Sequence, residues 1–188
     1  MQIIALCGQR GSGKDLVADT IMELLHGIKP TRKLSFTNQT KELLMATFGI
    51  RDQMEWASFT HGKVTLPNGK ERSGKEIYRI ISMRLRSMNA EHFVERLKDD
   101  IFNYKTYHPE LYDDVVFIVT DVRFRDEVKW CKANNIPLIK VKRDTAIYDS
   151  TVNEMEVEDF LCDHFIDNNR SEKELKENLV EVLTKVLK

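Results

Sequence analysis

Cysteine is scarce in this chain of 188 residues, and Cys7, Cys131 and Cys162 show no CxxC spacing. An odd, scattered set excludes a disulfide framework and a zinc ribbon; it reads as reduced, half-buried thiols in a reducing compartment. The five histidines lack HExxH or similar spacing, which argues against a dedicated zinc site. No charge of one sign dominates: Lys plus Arg number 29, Asp plus Glu 30, and the net charge is −1. Nucleic-acid and membrane surfaces need a clustered excess of cations, so neither partner is expected. Long apolar runs are missing too. Val115 to Val119 is strand-sized and too short to cross a bilayer. Met1-Gln-Ile-Ile opens a strand with no basic stretch and cleavage site, so a cytoplasmic location is expected.

What remains is ordinary globular material, 41% hydrophobic and 31% charged, enough for one domain around a single core. Gln2 to Cys7 is a short apolar run suited to a strand buried on both faces. A glycine-rich turn follows, then Leu16, Val17, Ile21, Leu24 and Leu25 at helical spacing, ended by Gly27. Lys33 to Phe36 reads as a second strand, and Glu42 to Phe48 as a helix closed by Gly49. Residues 50 to 73 look polar and irregular, with hairpin turn chemistry in Thr65-Leu66-Pro67-Asn68-Gly69-Lys70. Two helices are expected from Gly74 to about Tyr104, broken near Ser87-Met88-Asn89. Val115 to Val119 is the clearest strand, ending at Thr120-Asp121, with a helix from about Asp126 to Ala133. Leu138 to Val141 and His164 to Asp167 are further strands, and a short helix is expected around Met155 to Leu161. Ser171-x-x-Glu174 is a capping box opening a last amphipathic helix. Strands alternating with helices indicate an α/β domain with a parallel sheet.

Gly8-Gln9-Arg10-Gly11-Ser12-Gly13-Lys14-Asp15 fits the phosphate-loop form GxxxxGK, set between a buried strand and an amphipathic helix. Glycines let the backbone approach phosphate closely, and N–H groups at the positive end of the helix form an anion cradle. Lys14 is placed to reach the β- and γ-phosphates of ATP. The residue after that lysine is normally Ser or Thr, whose hydroxyl ligates Mg²⁺. Asp15 stands there instead, and a first-turn carboxylate can hold magnesium directly or through water, or simply favour the helix start. Asp121 lies just past the best strand, where ligand crevices form in open parallel sheets. There it can position magnesium or orient an acceptor, while Arg123 or Arg125 neutralises phosphate charge. A phosphotransferase holds two polyanions together, so it needs more cations than one lysine. Lys41, Arg79, Arg84, Arg86 and Arg143 are candidates, although isolated charges more often mark solvated faces.

GQRGSGKD, LSFTNQTK, SGKEIYRIISMRLR, VTDVRFRDEV and HFIDNNRSEKEL together resemble the deoxynucleoside monophosphate kinase family of phages and large DNA viruses, over almost the whole chain. The GKD phosphate loop and the DVRF segment are the most specific parts. The resemblance implies a P-loop NTPase fold of nucleoside monophosphate kinase type, a three-layer α/β/α domain with a five-stranded parallel sheet. It implies one domain over residues 1 to 188 with an acceptor and flap insert at about 50 to 105. The implied activity is transfer of the ATP γ-phosphate to a deoxynucleoside monophosphate with Mg²⁺, and a homodimer is compatible with it. Gly8, Arg10, Gly11, Ser12, Gly13, Lys14 and Asp15 then hold ATP phosphates, with Arg143 and Asn168 approaching from the ATP side. Lys41 lies near the acceptor phosphate, and Arg79, Arg84 and Arg86 belong to the acceptor or lid region. Lys14, Asp121 and Arg123 sit at the reaction centre, with Asp15 and Asp121 at the metal.

The central helix departs from the pattern. Where the family looks like TGRELLQxxGT, this chain has Ser73-Gly74-Lys75-Glu76-Ile77-Tyr78-Arg79, then Ser82-Met83. Those positions bear on the acceptor, so the base preference is open. Animal-type phosphomevalonate kinase also carries a GKD loop, but its strand end looks like SDTRR against TDVRF here. A P-loop protein that binds nucleotide without acceptor kinase activity is a third reading. A GTPase is disfavoured because no NKxD motif occurs.

Overall fold

The apolar run Gln2–Cys7 forms strand β1, and it lies in the middle of a five-stranded sheet. In the computed structural model, which describes residues 1–146 and 160–187, the elements of that sheet come from distant parts of the sequence. Its strands are β1, β2 (Thr31–Leu34), β5 (Val116–Val122), β6 (Leu138–Lys142) and β7 (His164–Asp167), in the order β2-β5-β1-β6-β7. Every pairing within it is parallel. Parallel strands need crossovers, and helix α1 (Lys14–Leu25) supplies the first, between β1 and β2.

Helices cover both faces. On one, α1 and the last helix α8 (Glu172–Val186) bury Val17, Ile21, Leu175 and Leu179 against Ile4, Leu6, Ile118, Ile139 and Ile166. On the other, the later turns of α5 (His92–Tyr107) place Tyr104 edge-on to Phe117, with ring centroids 5.2 Å apart. Trp130 of α7 (Arg125–Ala133) meets Phe36 in the same edge-on way, at 5.8 Å. The result is the expected three-layer α/β/α arrangement around five parallel strands.

Contacts divide the described chain into two units, Met1–Phe36 with Leu97–Lys188, and Thr37–Arg96. The first holds the sheet. The second contains α2 (Asn38–Phe48), α3 (Gln53–His61), the hairpin β3–β4 (Lys63–Thr65 and Glu71–Ser73), α4 (Gly74–Met88) and the start of α5. It buries Leu44, Ile77, Phe93 and Val94, and a partly exposed aromatic cluster runs through it: Phe59 lies 4.9 Å from Phe48 and 5.5 Å from Trp56, and Trp56 lies 5.8 Å from Tyr78.

Several elements differ from those expected of the sequence. Residues 53–61, expected to be irregular, are helix α3; Asp52 caps it by accepting from the N–H groups of Met54 and Glu55. The helix was hidden because it buries no residue fully, leaving no apolar stripe to read. Helix α2 begins at Asn38, ahead of the apolar run, and β2 is Thr31–Leu34 rather than Lys33–Phe36. The hairpin, the break after Met88, β6, β7 and the Ser171 capping box are as expected. The helix expected at Met155 to Leu161 falls largely outside the described residues. A short helix α6 (Pro109–Tyr112) was not anticipated. Among the described residues no helix is long and apolar enough to cross a membrane.

Candidate phosphate-binding site

The carboxyl ends of the sheet strands carry most of the residues singled out in the first unit. Register brings them side by side: Cys7 of β1 pairs with Val122 of β5 and Lys140 of β6, and Lys142 of β6 pairs with Asp167 of β7. Gly8, Asp121, Arg143 and Asn168 therefore leave neighbouring strands at the same end of the sheet, where ligand crevices of open α/β sheets form.

The loop itself is tightly built. Gly8 has φ +149° and a β-carbon there would lie 2.4 Å from the Val141 carbonyl oxygen and 2.8 Å from Ser12 Oγ. Gly13 caps α1 in the left-handed region at φ +90°, and a β-carbon would meet Asn168 Nδ2 at 2.1 Å. No other residue type fits either position without moving its neighbours. Asn168 is buried; its Nδ2 donates to the Ser12 carbonyl over 2.9 Å, and its own N–H to the Lys142 carbonyl. It braces the loop from the far edge of the sheet, so the structure gives this residue a supporting place at the site.

Lys14 is only 8% exposed, and its Nζ donates to the carbonyls of Gly8 (2.8 Å) and Gln9 (2.9 Å). The ammonium group is thus folded over the mouth of the loop from which it emerges. Ser12 is fully buried and its Oγ has no hydrogen-bond partner among the described residues. A buried hydroxyl without a partner is costly, and a phosphate oxygen is a fitting acceptor for it. Two glycine positions closed to any side chain, a lysine bent over the loop and an orphan hydroxyl inside it meet the requirements of a phosphate cradle. Arg10 is exposed on the same loop, and Asp15 is exposed in the first turn of α1, where the helix makes no side-chain cap bond.

Asp121 owes its position to a shift in sheet register. Between Ala5 and Cys7 of β1 the partner strand runs from Val119 to Val122, so β5 carries one extra residue. Such bulges re-aim side chains at strand ends. The Asp121 carboxylate accepts from Ser35 Oγ (2.7 Å) and the Phe36 N–H (2.9 Å), tying the end of β5 to the chain leaving β2. Arg123 and Arg125 follow on the exposed side of the turn. Beneath them Glu127, buried and overlooked in the sequence, accepts from the N–H groups of Arg123 (2.7 Å) and Phe124 (3.0 Å). An acidic residue in the first turn of the expected helix is the signal that could have found it.

The remaining candidates belong to the second unit. Lys41 donates to Gln53 Oε1 over 2.9 Å and stands 5.6 Å from the centre of the Trp56 ring. Arg86 packs over Phe93 at 4.8 Å, while Arg79 and Arg84 are exposed on α4. Arg79 and Arg86, seven positions apart, share a helix face that Arg84 does not. Among the described residues no cluster of three or more His, Cys, Asp or Glu could hold a metal by protein ligands alone. Magnesium with phosphates needs only one or two carboxylates, and Asp15 and Asp121 have the right chemistry.

Compared with protein-family models and with curated proteins, the chain shows no match. Solved structures do resemble it. A cysteine-to-alanine mutant of the APS kinase CysC of Mycobacterium tuberculosis aligns with 97% of this chain and 96% of its own, at 12% identity and a TM-score of 0.44. A protein called APE1195 aligns over 98% and 94%, at 14% identity and 0.46. Dephospho-CoA kinase from Campylobacter jejuni aligns over 99% and 98%, at 13% identity and 0.49. At these scores the likeness adds nothing to what strand order and loop geometry establish. The chain has a three-layer α/β/α fold with a five-stranded parallel sheet and a glycine-rich loop of phosphate-loop form between β1 and α1.

Proposed function

We propose that this protein is an ATP-dependent phosphotransferase whose acceptor is a deoxynucleoside monophosphate. The observation that carries the reading is the Gly8–Lys14 loop, closed to side chains at Gly8 and Gly13 and capped by the Lys14 ammonium. Backbone N–H groups of the loop and Ser12 Oγ bind the β- and γ-phosphates, and Lys14 turns from the Gly8 and Gln9 carbonyls onto them. Asp15 and Asp121 would hold Mg²⁺, which would offset phosphate charge when bound. Arg10, Arg143 and Arg123 surround the same charge, Arg123 at the transferred group.

Lys41, Arg79, Arg84 and Arg86 bind the acceptor phosphate and its nucleoside. An acceptor phosphate oxygen is already anionic near neutral pH, so no side chain has to remove a proton. Catalysis is then positioning and charge neutralisation. The flap from 50 to 73, which contains the β3–β4 hairpin, and the segment from 144 to 156 are the proposed closing elements; most of the latter lies outside the described residues. The hairpin also favours a nucleotide acceptor over phosphomevalonate, in line with the family resemblance.

The test is ATP consumption across deoxynucleoside monophosphates, nucleoside monophosphates and phosphomevalonate. Turnover dependent on a deoxynucleoside monophosphate is expected. Turnover with phosphomevalonate alone would replace the acceptor, and nucleotide binding without any acceptor-dependent turnover would leave a binding protein.

A further inference from the structure

Cys7 is the last residue of β1 and the immediate neighbour of Gly8. Its Sγ lies 3.3 Å from Sγ of Cys162, 155 positions away, and both are free thiols. A disulfide requires about 2.0 Å between the sulfurs, so closure asks for a movement of little more than about 1 Å. Both sides are anchored. Asp163, next to Cys162, donates its N–H to the Leu138 carbonyl (2.9 Å) and accepts from the Leu138 N–H (2.8 Å). Cys7 sits in the central strand, in register with the buried Lys140.

The two thiols are unlike. Cys162 is half-buried and Cys7 fully buried, so an oxidant meets Cys162 first. The hydrogen bond with Cys7 holds the Cys162 thiol below its ordinary value, with help from Lys140 and Lys132, against the opposing effect of burial. The same bond, then burial, pushes Cys7 up. Cys131 is a bystander, its thiol pushed up to about 12 by burial and by Glu127 and Asp163.

We propose that Cys7 and Cys162 are an oxidative modification site, a dithiol that hydroperoxides close to a disulfide and that thereby distorts the phosphate loop. The Cys162 thiolate attacks a peroxide oxygen; the O–O bond breaks, Cys162 becomes a sulfenic acid, and hydroxide leaves. The Cys7 sulfur then attacks the Cys162 sulfur. The S–S bond forms as the S–O bond breaks, and the Cys7 proton departs with the hydroxyl as water. Two thiols lose two electrons, and hydrogen peroxide becomes two waters; a dithiol reductant reverses the bond. The strain passes to Gly8, the adjoining residue, where Val141 and Ser12 leave no room for a side chain and whose carbonyl holds Lys14. The effect on nucleotide rests on the proposed function; bond formation and loop distortion do not.

The full chain is treated with hydrogen peroxide, blocked and digested without reductant. Peptides containing Cys7 and Cys162 should be found linked, Cys131 should remain a thiol, and dithiothreitol should release the link. Hydrogen exchange of amides 8–15 should be at least about threefold faster in the oxidised protein, and affinity for a fluorescent ATP analogue about tenfold lower, within the cost of a displacement near 1 Å. Cys162→Ser should remove all three effects while keeping turnover and melting temperature; Cys131→Ser should keep them. Absence of the linked peptides, or a linked protein with unchanged exchange in residues 8–15, overturns the proposal. A reduced protein that binds no nucleotide defeats the kinase reading alone, since linkage and exchange are read without ligand.

Discussion

At the scale of single residues, Lys14 has the most to lose. Its ammonium makes two hydrogen bonds to the loop from which it emerges, so Lys14→Ala removes both a loop clamp and the proposed phosphate ligand. Turnover should fall by at least about 100-fold, the usual consequence of losing one charge-stabilising group, while circular dichroism stays native. Near-wild-type turnover would end the assignment. Asp121→Asn keeps an oxygen for the Phe36 N–H and an amide that can face Ser35, so the end of β5 should hold its place. Loss of charge alone should lower kcat by about 10- to 100-fold with ATP affinity little changed, because a carboxylate acting on the metal and acceptor matters most in the transition state. Unchanged kinetics would make Asp121 a structural tie. The loop residues were legible because their pattern is local: glycines and a lysine at fixed offsets between a strand and a helix. Glu127 and the Cys7–Cys162 contact were not, since one hides in an ordinary helix start and the other joins positions far apart in sequence.

Secondary elements depend on signals that differ in strength. Helix α8 is announced by Ser171, whose Oγ accepts from the Glu174 N–H while Glu174 accepts from the Ser171 N–H and hydroxyl. Ser171→Ala should cost about 1 kcal/mol, measured by denaturant unfolding. The same bonds hold the Glu174 carboxyl below its ordinary value of 4.5. A lowered carboxyl contributes stability fully above its unfolded value and loses it as pH falls through the folded one. The gap between wild type and variant should therefore be full near neutrality and narrow below about pH 4. A gap constant to low pH would mean the carboxylate takes no part. Helix α3 shows the opposite case. It has a cap at Asp52 but buries no residue fully, and so it was read as irregular although its start was written in the sequence. Strand β5 was legible as an apolar run, yet its continuation to Val122 depends on a register shift against β1 that no local pattern encodes.

For the whole molecule, the parallel sheet was legible from alternating strand and helix patterns, while the strand order β2-β5-β1-β6-β7 is a finding of the structure alone. Burial between α1, α8 and the sheet joins the beginning and end of the described chain in one core. Leu179 lies fully within it, so Leu179→Ala should destabilise the fold by about 2–5 kcal/mol through lost burial and the cavity left behind. Thermal unfolding measures this, and a loss under about 1 kcal/mol would show that α8 packs elsewhere. The central place of β1 has a consequence for biosynthesis. Its two neighbours, β5 and β6, are translated more than a hundred residues after it. A ribosome delivers roughly 5–20 residues per second, so this oily segment waits for seconds without a mate. Its final seat, and with it the Gly8–Lys14 loop, can be completed only after most of the polypeptide has emerged. Holding chaperones should therefore bind nascent chains of this protein through residues 2–7, and release them once β6 has cleared the exit tunnel.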